Sequence, residues 1–439
     1  MNKRGLRRVI LLVLCVVLLF ISIWGLYVKS QSDKTGFVYL DLFKNKVIYK
    51  DKSGQKVYGL KKIKKNTYYF DEKSGYMQRG LVETKDGIMY FDKEGKMVKG
   101  LQEIDGDLYC FDKNGYMVKN DFARVERDGN SQISYFDKEG KMFVGTKKID
   151  GVSRKFDEKG ALVIDTSELK KGIQKIIDEY GIDVGFYYKD LSTSTTVSIN
   201  DHNFYPGCMV KAPALGAVYQ KIEAGELNED DNWWYIYNMI TISDNTCYNT
   251  LMQKIGDKIG TRGTAYVTEM CKSLGMEHTE VHHGLKPGLH YFGDGKTNTS
   301  RPSDIGIYFE QLYKGNIVGP EYTQRMLDLF NACRDVQISI GIPSGTYFPH
   351  KTGFADDYYH DGGIVYSENG EYILVIFTHG YSTSQEVNQI MGDLSYYTYN
   401  WHMKLLNLHG DSKNDGQMDS KVEKSEMEAA EAEAINNEQ

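Results

Sequence analysis

The first feature of the chain that could support chemistry is a cysteine three residues before a lysine. Pro206-Gly207 predicts the end of a strand, and residues 212–226 predict an amphipathic helix. Cys208 would then lie at the start of that helix, where the positive end of the helix dipole favours a thiolate. The Lys211 ammonium, one turn away on the same face, lowers the thiol pKa further, or as a neutral amine accepts its proton. Cys208 is therefore a candidate nucleophile, although a Cys-x-x-Lys pair taken alone is usually structural.

A second polar segment, Ser243-Asp244-Asn245, follows the apolar residues 237–242 and precedes a predicted helix over 246–255. A serine hydroxyl in such a position can relay a proton to a leaving nitrogen. An asparagine amide can hold a substrate carbonyl group. An ordinary helix N-cap is the alternative interpretation, because serine, aspartate and asparagine all cap helices well.

A third segment, Lys351-Thr352-Gly353, precedes strand-like sequence. A lysine ammonium beside a threonine hydroxyl suits a substrate carboxylate. Gly353, which has no side chain, lets a substrate backbone lie along the edge of a strand. A simple turn is the alternative interpretation of this segment.

In their order and approximate spacing, the three segments resemble the S-x-x-K, S-D-N and K-T-G motifs of class A β-lactamases and penicillin-binding proteins. Leu274-Gly275 and residues 360–363 add further matches, and the resemblance extends over residues 167–406. It implies acyl transfer, in which a nucleophile attacks an amide carbonyl and a covalent acyl-enzyme forms. Backbone N–H groups, including that of Cys208, would hold the oxyanion.

By this resemblance, the substrate is a β-lactam or the D-Ala-D-Ala-like end of a wall peptide. The side chains expected to be catalytic are Cys208, Lys211 and Ser243. The residues expected to bind substrate are Asn245, Lys351, Thr352 and Gly353.

Two departures from the family pattern bear on the chemistry. Cys208 stands where the family has its nucleophilic serine, and the larger sulfur changes the geometry of attack, although a thiol is intrinsically the better nucleophile. About ten residues after Leu274-Gly275, hydrolysing class A enzymes carry an E-x-x-L-N segment, whereas residues 285–289 contain no carboxylate. Glu280, the nearest acidic residue, aligns several residues too early. We therefore expect slow deacylation, and a catalytically deficient wall-binding or sensing protein is the alternative.

The elements expected to position these segments indicate an α+β domain over residues 164–409. An amphipathic helix at 167–180 is followed by a hairpin-like pattern at 184–199. Helical patterns then dominate to about residue 331, strands return within 363–378, and a last helix covers 384–406. Strands at both ends of the domain predict one shared sheet with helices packed against it. The family resemblance implies that this sheet is antiparallel and that the helices form a subdomain.

A repeat with a period near twenty occupies residues 37–163. Its phenylalanines fall 21, 20, 25 and 20 residues apart, each before an Asp-x-x-Gly turn and a short apolar stretch. This pattern predicts stacked β-hairpins, each built from the aromatic strand, the Asp-x-x-Gly turn and the apolar stretch. The units resemble the cell-wall-binding repeats of choline-binding and glucan-binding proteins. Leucine follows Gly59, Gly80 and Gly100 where those repeats usually place tryptophan, the strongest face for a quaternary ammonium group. A rigid spacer and a wall-binding module are both open interpretations.

The N-terminal residues predict a membrane anchor. Residues 9–28 are almost entirely apolar and long enough to cross a bilayer as a helix, so residues 1–30 would form a cytoplasmic stub and anchor. Four basic residues precede this run (Lys3, Arg4, Arg7 and Arg8), which places the N-terminus in the cytoplasm and the rest of the chain outside the cell. A cleaved signal peptide is the weaker alternative.

Charge and cysteine content exclude other classes of protein. Nine acidic residues and three lysines in 411–439 account for six of the seven net negative charges, and residues 410–439 are predicted to be disordered. The remaining chain is nearly neutral and gives no support to nucleic-acid binding. Five cysteines lie outside the apolar run, so at least one must be a free thiol. No Cys-x-x-Cys or Cys/His cluster is present, and we expect no metal or other cofactor.

Overall fold

The computed structural model describes Ser22 and residues 35–40, 46–149, 151–335 and 337–405. The chain divides into two compact units, one reaching to Val125 and including Ser134–Phe143, the other containing Glu126–Ile133 and continuing from Val144. Apart from Ser22, the predicted anchor lies outside the described residues, as does the predicted disordered tail. Of the helices in the described part, none is both long and apolar enough to cross a membrane.

The repeat region consists of short strands that pair with their neighbours in sequence. Each consecutive pair forms a separate two-stranded sheet. The strands are β1 (Gly36–Tyr39), β2 (Val47–Lys50), β3 (Gly59–Ile63), β4 (Asn66–Phe70), β5 (Gly80–Thr84), β6 (Gly87–Phe91), β7 (Gly100–Ile104), β8 (Asp107–Phe111), β9 (Asp121–Arg127), β10 (Asn130–Phe136), β11 (Gly145–Ile149) and β12 (Val152–Phe156).

The predicted hairpins are present, and each aromatic strand also pairs with the strand that precedes it. The strand after each inter-unit glycine pairs with the following aromatic strand, so the first complete repeat pairs Gly59 with Phe70 across a turn at Lys64, whose φ is 54°. The Asp-x-x-Gly segment instead forms a second turn, in which the Asp71 carboxylate accepts the Ser74 N–H at 2.6 Å. Short aspartate-centred turns of this kind are common because the side chain replaces a backbone acceptor. The predicted pairing across the Asp-x-x-Gly turn is present as single antiparallel bridges, such as Phe70 with Met77, and the longer pairing with the preceding strand is an addition that the sequence did not predict.

Successive hairpins of the first unit are joined through the residues after each Asp-x-x-Gly turn. The Met97 N–H donates to the Thr67 carbonyl of the preceding hairpin at 2.8 Å. Side chains of successive hairpins are also in contact: the ring centres of Tyr90 and Phe111 lie 5.9 Å apart in a stacked arrangement. Each hairpin thus buries its aromatic side chains against the next, as the repeat period predicts.

The second unit contains a five-stranded antiparallel sheet in the order β14-β13-β17-β16-β15. Strands from both ends of the predicted domain share this sheet, and the α+β prediction is confirmed. The strands are β13 (Asp183–Asp190), β14 (Thr196–Ile199), β15 (His350–Ala355), β16 (Tyr358–Ser367) and β17 (Gly370–His379). The helices are α1 (Ser167–Tyr180), α2 (Lys211–Glu223), α3 (Glu229–Thr241), α4 (Asn245–Ile259), α5 (Gly263–Ser273), α6 (Pro302–Tyr313), α7 (Pro320–Asn331) and α8 (Ser384–Lys404), with 3₁₀ turns at Gly207–Val210 and Ile338–Gly341.

The sheet separates two hydrophobic clusters because its central strand β17 is apolar on both faces. Val375 and Phe377 belong to the cluster formed with helices α2 to α7, whereas Leu374 and Ile376 belong to the cluster formed with α1 and α8. Alternate residues of a strand point to opposite faces, so a strand buried on both sides is apolar throughout. This layering fixes β15, at one edge of the sheet, against the helical layer that carries the site.

Replacing Ile376 by alanine tests the position of this strand in the core. Ile376 is fully buried, so Ile376→Ala is expected to lower the free energy of unfolding of this unit by about 2–5 kcal/mol. The matched change Ile340→Ala, at a side chain that is 54% exposed, is expected to cost under about 1 kcal/mol. Urea unfolding of the full chain, followed by tryptophan fluorescence, to which the buried Trp401 contributes, measures both. Equal losses would contradict the two-layer core.

Candidate active site

The Cys208 thiol lies in the 3₁₀ turn Gly207–Val210, which leads directly into helix α2. The sequence predicted the start of an α-helix here, and the structure instead inserts this tighter turn before it. Gly207 has a φ of 51°, and a Cβ at this position would lie 2.8 Å from the carbonyl oxygen of Phe354. Only glycine allows both the backbone conformation and the close approach to strand β15. The turn thereby holds Cys208 next to that strand.

Lys211 is fully buried at the first residue of α2, and its ammonium links Cys208 to the second segment. Its Nζ donates to Cys208 Sγ at 3.3 Å, to Asn245 Oδ1 at 2.5 Å and to Ser243 Oγ at 3.2 Å, and it also donates to the Ser243 carbonyl oxygen. A buried ammonium is tolerated only when its hydrogens are satisfied in this way. The contacts bring the predicted catalytic side chains together.

Ser243 lies before helix α4, and the next residue, Asp244, is the N-cap of that helix. The Asp244 side chain accepts the Cys247 N–H at 2.6 Å and is the N-cap of α4. Ser243 has a φ of 57° and its hydroxyl accepts a hydrogen bond from Lys351 Nζ at 2.9 Å. The N-cap interpretation therefore applies to Asp244 alone, and the Ser243 hydroxyl lies between two ammonium groups.

The Asn245 amide binds protein atoms on both sides. Its Oδ1 accepts from Lys211 and lies 3.5 Å from Cys208 Sγ, and its Nδ2 donates to the Lys286 carbonyl at 3.3 Å. The amide expected to hold a substrate carbonyl thus also connects the buried lysine to the loop across the cleft.

Lys351, Thr352 and Gly353 lie within strand β15, whereas the sequence predicted that they precede a strand. A Cβ on Gly353 would lie 2.7 Å from the Pro206 carbonyl oxygen and 2.6 Å from Met209 Cγ. This glycine therefore allows β15 to pack against the turn that carries Cys208. The Thr352 hydroxyl donates to the Asp335 carboxylate at 2.6 Å, a contact that the sequence did not predict.

Burial and charge act in opposite directions on the two central groups. Burial raises the pKa of the Cys208 thiol, but the positive charges of Lys211 and Lys351 and hydrogen bonds from Ser243 and Lys211 outweigh it, and the net pKa is lowered. Burial lowers the pKa of Lys211 to about 8, although the nearby thiolate opposes this change. With Nζ and Sγ 3.3 Å apart and both pKa values lowered, a proton can move between these two groups.

The loop of residues 285–289 forms one wall of the cleft and is held by Asn249 of α4. The buried Asn249 side chain accepts the Leu285 N–H at 2.8 Å and donates to the carbonyls of Leu285 and Leu289 at 3.0 and 3.1 Å. The Lys286 ammonium lies 4.2 Å from the centre of the Tyr291 ring. No side chain of this loop is a carboxylate.

Glu280, the nearest acidic residue in sequence, belongs to a separate cluster. Its carboxylate lies 3.0 Å from His282 Nε2, and this hydrogen bond lowers its pKa. His282 also contacts Asp294, at 3.1 Å. Glu280 is not among the described residues that line the cleft.

The cleft has a volume of about 890 Å³ and is lined by residues of all three predicted segments together with several that the sequence did not single out. The residues that were missed include Tyr205, His283, Tyr291, Asp335, Asp356 and Tyr359. They lie in loops or at strand ends without a recognisable motif. In the sequence, Asp335 is marked only by being an acidic residue shortly before the third segment, which is a weak signal.

Comparisons with known proteins agree with both resemblances. The family model described as "Beta-lactamase enzyme family" matches residues 168–235 and 231–402, and a model described as "Choline-binding repeat" matches residues 79–122. No curated protein matches the sequence.

Solved structures similar to this chain include proteins of the same kind. An acyl-enzyme complex of a mutant of PBP-A with penicillin G is 22% identical, covers 54% of this chain and 97% of its own, and has a TM-score of 0.49. A beta-lactamase from Sphaerobacter thermophilus is 22% identical, covers 54% and 98%, and has a TM-score of 0.47.

The family model spans residues 168–402, which is 235 of the 439 residues and more than half of the chain. This span includes Cys208, Lys211, Ser243 and the Lys351-Thr352-Gly353 strand. The chain belongs to the beta-lactamase enzyme family.

Proposed function

We propose that this protein is an acyl-transferring enzyme that uses Cys208 to attack the amide carbonyl of a β-lactam or of a D-Ala-D-Ala-like wall peptide. The observation that carries this proposal is the continuous hydrogen-bonded chain from the Cys208 thiol through Lys211 and Ser243 to Lys351, within an open cleft. A nucleophile, a proton acceptor and a proton relay are the groups that acyl transfer requires.

In the acylation step, Cys208 loses its proton to the neutral amine of Lys211, and Sγ forms a bond to the substrate carbonyl carbon. The oxyanion that develops is placed by family resemblance at the Cys208 backbone N–H. As the C–N bond breaks, the Ser243 hydroxyl gives its proton to the leaving nitrogen and takes one from the Lys211 ammonium, 3.2 Å away. The product is a thioester on Cys208 and a free amine, and Lys211 is neutral again.

Hydrolysis of this thioester requires a base that activates water, and the loop at 285–289 supplies none. Lys286 there carries a positive charge, which cannot accept a proton from water at neutral pH. We therefore propose a long-lived acyl-enzyme. This feature also supports the second candidate function, a sensor or wall-binding protein that holds its ligand without turnover.

We further propose that the protein is anchored in the cell membrane by residues 9–28 and faces the cell wall, with the repeats as a wall-binding module. Exposed and half-buried aromatic rings on the repeats support this role. The Lys56 ammonium already lies 5.2 Å from the Tyr76 ring and 5.8 Å from the Tyr58 ring. The Lys56 ammonium thus lies against the two tyrosine rings that a quaternary ammonium group would need. We therefore propose that the repeats bind a wall polymer through contacts that do not involve choline.

Intact mass spectrometry of the full chain after incubation with excess benzylpenicillin tests the nucleophile. The parent is expected to gain one penicilloyl group that persists after the free drug is removed, since the loop at 285–289 offers no carboxylate to activate water. Cys208→Ala is expected to gain none. An adduct on Cys208→Ser but not on the parent would show that the cysteine disables the site. Unchanged mass in all three proteins would rule out acyl transfer from penicillin to the protein.

The pH dependence of Cys208 alkylation by iodoacetamide tests the lysine beside it. Because Lys211 and Lys351 lower the thiol pKa, the alkylation rate is expected to rise with pH with a midpoint below that of an ordinary cysteine thiol. Lys211→Met removes one positive charge and shifts this curve to higher pH, which reduces the rate at pH 7 by about tenfold for each pKa unit. Lys286→Met, which removes a cleft charge that does not contact Sγ, is the control. Equal shifts in both variants would contradict a specific Cys208–Lys211 pair.

Retention on purified cell wall tests the repeats. Deletion of residues 37–120 is expected to abolish retention of the full chain, whereas Cys208→Ala is expected to bind like the parent because the cleft is not needed. Free choline is expected not to elute the protein, since Lys56 covers Tyr58 and Tyr76. Unchanged retention after the deletion would show that residues 37–120 act as a spacer and do not bind the wall.

A further inference from the structure

We propose that the acyl group does not stay on Cys208 but moves from its sulfur to the amine nitrogen of Lys211, where it forms a permanent amide. This inference rests on the proposed acyl-transfer function and gives the same site a second reaction. Lys211 Nζ and Cys208 Sγ lie 3.3 Å apart. Reacting atoms about 3–3.5 Å apart are in a position to attack, and the acyl carbon is bonded directly to this sulfur.

The hydrogen bonds of Lys211 direct the lone pair of its neutral amine towards the sulfur. The two closest acceptors of Nζ are the Ser243 carbonyl oxygen and Asn245 Oδ1. A neutral amine has two hydrogens, and these two acceptors take them. The other neighbours of Nζ are Cys208 Sγ at 3.3 Å and Ser243 Oγ at 3.2 Å. The lone pair therefore faces the place where the thioester forms.

Acylation of Cys208 itself favours the neutral form of this amine. Burial lowers the pKa of Lys211 to about 8, and the charge of the Cys208 thiolate acts in the opposite direction. A thioester carries no charge, so acylation removes this opposing effect and the pKa of Lys211 falls further. The positive charge of Lys351 also lowers it, and only the more weakly acting Asp244 carboxylate still raises it. The amine next to the thioester is thus free to act as a nucleophile.

The transfer needs no group other than those of the site. The lone pair of Lys211 Nζ forms a bond to the acyl carbon, and the C–S bond breaks with its electron pair on Cys208 Sγ. The Ser243 hydroxyl lies 3.2 Å from Nζ and hydrogen-bonds to Cys208, so it passes a proton from the nitrogen to the sulfur. The products are an amide on Lys211 and a free thiol at Cys208.

This reaction depends on the cysteine and competes with hydrolysis. A thiolate is a much weaker base than an alkoxide, so it leaves an acyl group far more readily. A nucleophile held in place acts at an effective concentration of about 10⁵–10⁸ M, whereas water in this cleft meets no carboxylate in the loop at 285–289. Transfer to Lys211 therefore precedes hydrolysis. It also removes the proton acceptor of the site, so each molecule is acylated once.

Neutral hydroxylamine, which cleaves thioesters but not amides, tests the transfer in the full chain. After incubation with benzylpenicillin and removal of the drug, the parent is expected to keep its whole mass gain in hydroxylamine. Peptide mass spectrometry is expected to find the penicilloyl group on Lys211 and iodoacetamide on Cys208 of the same molecules. A second donor, S-phenyl thioacetate, loads the thiol by simple thioester exchange and is expected to leave an acetyl group on Lys211.

Three variants serve as controls. Cys208→Ser is expected to keep any penicilloyl group at position 208, because its ester has the poorer leaving group. Cys208→Ala is expected to gain no acetyl group on Lys211. Lys211→Arg keeps the positive charge but has no free amine, so its acetyl group is expected to stay on Cys208 and to be lost in hydroxylamine.

The outcomes separate this transfer from the function on which it rests. A parent whose acyl groups remain on Cys208 and are lost in hydroxylamine would overturn the transfer and leave the acyl-transfer function standing. Equal acetylation of Lys211 in the parent and in Cys208→Ala would also overturn it, since the lysine would then react directly. A parent without a penicillin adduct would contradict the proposed function, while S-phenyl thioacetate, which needs no recognition by the cleft, would still decide the transfer.

Discussion

The buried ammonium of Lys211 is the constraint on which the site depends. A charged group this deep in the protein is stable only if each of its hydrogens meets an acceptor. Those acceptors come from the turn before α2 and from the segment at the start of α4, through Cys208, Ser243 and Asn245. The need to satisfy one side chain therefore fixes the relative position of two helices, and the reactive thiol is placed as part of the same arrangement.

The sheet supplies the third side of this arrangement by close backbone packing. Gly207 and Gly353 let the 3₁₀ turn and strand β15 approach to distances that any Cβ would prevent. Strand β15 then carries Lys351 to the Ser243 hydroxyl, which places two ammonium groups around one proton relay. Close packing at the two glycines and the electrostatic interactions of the two lysines therefore both determine the geometry around the Ser243 hydroxyl.

Much of the fold and of the candidate site could be predicted, because the residues of the site lie within short, recognisable motifs. Cys208 and Lys211 are one turn apart, and the α+β order of elements follows from hydrophobic patterns. The contact between Thr352 and Asp335 could not be predicted, because it joins residues 17 positions apart across a segment with no periodic pattern. The sequence predicted the turn at Asp71 and the pairing across it, but not the second pairing of Phe70 with Gly59, because no turn motif marks the connection at Lys64.

The side chain of Asn249 has a consequence for the size of the groups that the cleft can accept. Its amide binds the loop at 285–289 through both of its polar atoms, and it is part of the helix that begins with Asn245. The loop that forms this wall of the cleft and helix α4 are therefore held together as one rigid body. The loop therefore cannot move outward alone to make room for a bulky acyl group. Steric exclusion thus limits which molecules reach the thiol.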